Sequence, residues 1–194
     1  MTTTRLLFAY WDRLRGERAA PARGDIDPAQ LRGFLADVFM LDAQPWQEGR
    51  IRLAGTRICA LFGHELKGHR LPDLWLERER AEVSRLVGAV TGGMHGLVAS
   101  VTGETAQGRE LDAELLLLPV RPSMGAQCGA IGCFAVTALP AWLGIDSLGA
   151  LTTRTIRMIE RHSRPQVSFG RLEAPIERAG TGRGHLIVLP GGRR

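Results

Sequence analysis

The chain has 194 residues, 44% of them hydrophobic, and a mean hydropathy of −0.04, values that suit one globular domain with extensions. No apolar run approaches the roughly 18 residues of a membrane-spanning helix, and no signal-like stretch opens the chain, so a cytoplasmic protein is expected. The net charge of +5 is unevenly placed: residues 154–194 hold nine Arg against three Glu, which leaves the first 153 residues slightly acidic.

Leu6, Leu7, Tyr10, Trp11 and Leu14 fall on one stripe and predict a helix over 5–15, stopped at Gly16. A polar connector follows. Asp27 and Pro28 then read as an N-cap and first helical position of a helix over 28–35. Residues 38–43 and 50–53 predict a hairpin, the second strand alternating Arg50, Ile51, Arg52, Leu53. Beyond Gly55 a short helix over 57–62 is expected, then a further helical turn at 64–66 and another short turn at 71–75. The amphipathic pattern of 77–90 predicts the long helix of the chain. Three strands follow, over 97–102, 109–119 and 129–139, the last nearly apolar on both faces as a central or doubly covered strand is. The β-branched content of 148–159 favours a strand over a helix. From residue 161 onward Pro, Gly and Arg predict a mostly disordered tail, with a short strand open to 186–189.

Strands and helices do not alternate, so a doubly wound parallel sheet is not expected. The order implies an α+β fold: a five-stranded antiparallel sheet with helices on one face, an N-terminal helix and a disordered tail. Three stretches carry a resemblance: Tyr10–Pro28, Val38–Asp42, and RLAGTRICALFGHELKG over Arg52–Gly68. On these the chain resembles the PAS-domain proteins of alphaproteobacteria. The resemblance spans roughly residues 5–160 and implies a PAS fold with an N-terminal helical extension. It implies no particular ligand. The expected organisation is a helix and connector over 1–27, a PAS-like domain over 28–160 and a basic tail over 161–194.

The residues that invite chemistry have simpler roles available. Cys59, Cys128 and Cys133 show no CxxC and no metal-ligand spacing, and small buried hydrophobes account for them. Flavin–thiol photochemistry would require a Cys within Gly68–Asp73, and none is there. Haem would need an axial ligand such as His64, His69 or His95, yet each sits beside Gly in a turn or breaker. Asp25 and Asp27 read as capping carboxylates, and no nucleophile, zinc or P-loop motif is present. No catalytic residue and no metal site are assigned, and no enzyme activity is expected.

The expected function is a sensory or regulatory module acting through a protein partner, its pocket open to a small ligand or to none. The pocket is placed between the sheet and residues 58–75. Ile58, Phe62, Leu66, Leu71, Leu74 and Trp75 are to line it, with Arg57 or His69 as a polar handle. The helix bearing Leu7, Tyr10, Trp11 and Leu14 either forms a homodimer surface or packs back on the sheet. A second reading, from another class, is nucleic-acid binding through the Arg-rich tail.

Overall fold

The computed structural model describes residues 1–42, 49–93, 95–122, 129–159 and 188–190. Helix α1 spans Thr2–Arg15 and α2 Pro28–Leu31; strands β1, Val38–Leu41, and β2, Ile51–Ala54, follow. Next come α3, Thr56–Phe62, a 3-10 turn at Leu71–Leu74 and α4, Glu77–Thr91. Strands β3, Gly96–Thr105, β4, Glu110–Val120, β5, Gly129–Val136, β6, Leu148–Ile159, and β7, Val188–Pro190, complete the described elements. Cys128, Glu160 and, of the tail where disorder and nucleic-acid contact were expected, residues 161–187 and 191–194 lie outside the described residues. Among the described residues no helix is long and apolar enough to cross a membrane.

All strands join one antiparallel sheet in the order β2-β1-β5-β4-β3-β6-β7. The α+β class holds, but the sheet is wider than the five strands expected. Strand β6 pairs with β3 from Gly96↔Ile159 to Thr105↔Leu148, and β7 pairs with three residues of β6.

The sheet has two apolar faces, and both are covered. On the first, Phe39, Leu97, Leu115, Leu117, Phe134 and Leu151 meet α3, the Leu71–Leu74 turn and α4. On the second, Val38, Leu116, Leu118, Ile131 and Cys133 meet α1 and Leu31 of α2. The central place of β5, between β1 and β4, explains its apolar residues on both sides.

This second layer decides between the two roles open to α1. Leu7, Tyr10 and Trp11 are buried against the chain's own sheet, and Leu14 packs at the margin. The Trp11 indole Nε1 donates to the Pro119 carbonyl at 2.8 Å. Of the two roles left open for this helix, packing back on the sheet is the one these side chains take, because an apolar sheet face must be covered.

Other local expectations meet specific geometry. Gly16 ends α1 at φ 54°. Asp27 caps α2, its Oδ1 accepting from the Ala29 amide at 2.9 Å, while Asp25 Oδ2 accepts from the Ala22 amide at 2.9 Å and pairs with Arg18 at 2.9 Å. The helical turn expected at 64–66 does not form. Gly63 closes α3 in the left-handed region at φ 73°, and the Glu65 carboxylate accepts from the Lys67 amide at 3.1 Å, so the chain bends away instead.

Candidate functional site

The helical layer meets the sheet around a small enclosed cavity of about 10 Å³. Ile58 and Phe62 reach it from α3, Leu66 from the following bend, and Leu71, Leu74 and Trp75 from the 3-10 turn and its end. The sheet supplies Phe39, Ile51, Ala54, Phe134 and Leu151. Phe62 and Phe134 meet edge to face across it, centroids 5.9 Å apart. Every lining side chain is apolar or aromatic, and the volume is of the order of one water molecule. As folded, the cavity is a packing gap rather than an open pocket.

Two glycines shape its walls. A Cβ at Gly55 would stand 2.2 Å from the Ala36 carbonyl oxygen, so only glycine lets α3 start so close to the turn before β1. A Cβ at Gly132 would stand 2.5 Å from Cζ of Phe39, so β5 leaves a gap through which that ring lies. The stretch Arg52–Gly68 therefore owes part of its character to backbone approach, not to chemistry.

The two expected polar handles are not at the cavity. Arg57 follows Thr56 on α3 and precedes Ile58, and one residue's rotation, about 100°, turns it off the cavity face. Its Nη1 donates to Asp37 Oδ2 at 2.5 Å in a partly buried ion pair that ties α3 to the turn before β1. His69 is exposed. Its carbonyl accepts from the Ile51 amide at 2.8 Å and its ring lies against that of His64, centroids 5.1 Å apart. None of His64, His69 and His95 lines the cavity. The sheet-side residues were not named from sequence. Strand alternation marks Phe39 and Phe134 as inward, but Leu151 becomes legible only once β6 is known to join the sheet.

A second, open groove of about 510 Å³ lies on the outer side of α3. Cys59, Ala60, Gly63 and His64 form one wall and Gly144, Ile145, Asp146 and Ser147 the other. Cys59 Sγ donates to Glu65 Oε1 at 3.6 Å, and burial, more than that carboxylate, pushes its thiol up from the ordinary range. Cys133, deep in the second layer, is pushed up to about 12 by burial. No cluster of His, Cys, Asp and Glu able to hold a metal occurs among the described residues.

A search of curated proteins returns no match. Among solved structures, the chain is similar to the PAS domain from Bordetella pertussis BvgS, at 19% identity and a TM-score of 0.44, over 59% of this chain and 86% of that one. The family model described as "PAS domain" matches residues 1–135, more than half of the chain. The chain belongs to the PAS domain family.

Proposed function

We propose that this PAS domain is a non-enzymatic regulatory module that passes its signal by protein–protein contact, responding to pressure on the core between α3 and the sheet. The observation that carries the reading is the enclosed cavity. Eleven apolar side chains from both layers converge on a gap of about 10 Å³. A close-packed interior transmits displacement rather than absorbing it, so a shift of Phe62 or Trp75 must move α3 and the bend after it. A charged ligand would meet no partner in this lining and would bear its full desolvation cost. Any ligand is therefore small and apolar, admitted by repacking of the Phe62–Phe134 pair.

Native mass spectrometry and absorbance spectra of the 194-residue chain, purified from its own host, test this reading. The expected result is a colourless protein, either unliganded or carrying a small apolar mass. Stoichiometric flavin or haem would overturn it.

A further inference from the structure

Positive charge inside the folded domain is concentrated in one stretch. Between residues 50 and 70 stand Arg50, Arg52, Arg57, Lys67 and Arg70, against Glu65 alone. Arg57 is paired with Asp37, and Arg52 approaches Asp42 at 3.6 Å. The fold then draws the others together. The Ile51 amide donates to the His69 carbonyl at 2.8 Å, the Gly68 amide donates to the Ile51 carbonyl at 2.7 Å, and Arg50 forms an antiparallel bridge with Arg70. Arg70 Nη2 also donates to Ser84 Oγ at 3.4 Å.

Arg50 Nη1 donates to the Gly68 carbonyl at 2.6 Å, a neutral acceptor. Glu65, the carboxylate of the stretch, is turned to Cys59 Sγ and the Lys67 amide. Lys67, His64 and His69 are exposed. His64 joins this corner to the open groove: its ring lies on His69, and it also lines the wall opposite Ile145, which is 86% exposed.

We propose that this corner is a docking surface for an acidic protein segment. Its carboxylates would sit on Arg50, Lys67 and His69, and one apolar side chain would enter the groove against Ala60 and Ile145. The proposal rests on the reading of a protein-contact output and gives that partner its chemistry. Exposed ion pairs are individually weak, so the apolar anchor is needed to fix register. A nucleic acid fits less well. Among the described residues no Phe, Tyr or Trp lines the groove to stack a base.

The test uses the full chain and a short fluorescein-labelled peptide of alternating Glu and Leu, followed by anisotropy and by amide shift mapping. Shifts are expected at residues 63–70 and 144–147, with affinity falling as salt rises. Lys67→Glu with His69→Glu should weaken binding about ten-fold, and Ile145→Asp should weaken it separately, while both keep the wild-type melting curve. The control Arg193→Glu with Arg194→Glu, which removes at least as much positive charge, should bind as wild type.

Binding lost in the tail control but kept in the Lys67/His69 variant would overturn the proposal. So would displacement of the peptide by oligothymidylate at the same amides, or a homodimer that the Lys67/His69 variant dissolves. These outcomes are independent of the cofactor test: a stoichiometric chromophore sinks the regulatory reading whatever the peptide does, and peptide binding unaffected by these variants sinks the docking surface alone.

Discussion

Cys133 shows how burial alone sets the chemistry of a side chain. It lies on β5 under α1, fully shielded from solvent, and its thiol is pushed up to about 12. In the unfolded chain the same thiol ionises near its ordinary value, about 8.5. Above that pH the unfolded state gives up a proton that the folded state keeps. The stabilisation this thiol contributes is therefore complete below about pH 8.5 and is lost as pH rises toward about 12. The melting temperature of the wild-type chain should fall steeply above about pH 9, and that of Cys133→Ala should fall less over the same range. Parallel melting curves for the two proteins across that range would show that the thiol does not ionise on unfolding. Cys59, half-buried beside Glu65, is the thiol of α3 and takes no part in the cavity.

Between elements, the seam of α3 against the sheet holds the apolar cavity. Phe134 is 4% exposed, faces Phe62 and lines the cavity. Replacing it with Ala should cost about 3–5 kcal/mol in denaturant unfolding and leave a dry apolar void. Benzene should then raise the melting temperature of Phe134→Ala but leave wild type unchanged, since an aromatic-sized apolar cavity takes up such a guest. No benzene effect on the variant would mean that α3 collapses into the gap. The elements of the fold were legible in the sequence where each has a period of its own: alternation in β4 and β5, and a helical stripe in α1 and α4. What was not legible is which element meets which. The stripe of α1 shows that Leu7, Tyr10 and Trp11 must be covered but not by what. The answer lies in the second apolar face of β4 and β5. The inward residues of 58–75 could be named because aliphatic and aromatic side chains there have no other use. Arg57 and His69 could not be placed, since a polar side chain's position depends on partners distant in sequence, Asp37 for Arg57 and the Ile51 strand edge for His69.

The molecule as a whole depends on a strand that lies beyond the family match. That match ends at residue 135, where β5 is closing. Strand β6 then runs the length of β3 and places Leu148, Leu151 and Ile156 in the core beneath α3 and α4. It also holds the helical layer by polar contacts. The Trp75 indole donates to Thr153 Oγ1 at 2.8 Å, the Leu76 amide to the Leu151 carbonyl at 3.0 Å, and the Thr153 amide to Glu79 Oε2 at 2.8 Å. Three buried aliphatic side chains contribute about 5–9 kcal/mol at roughly 1.5–3 kcal/mol each, comparable to the whole stability of an ordinary domain. A chain cut after Thr137 should therefore lack a cooperative thermal transition and lose its near-ultraviolet circular dichroism. A chain cut after Ile159 should melt within a few degrees of full length, because among the described residues beyond it β7 pairs with three residues of β6. A cooperative, native-like melt of the shorter piece would make β6 an appendage. Its absence, with the longer piece intact, would make β6 part of the folding unit that holds α3, Trp75 and the sheet together.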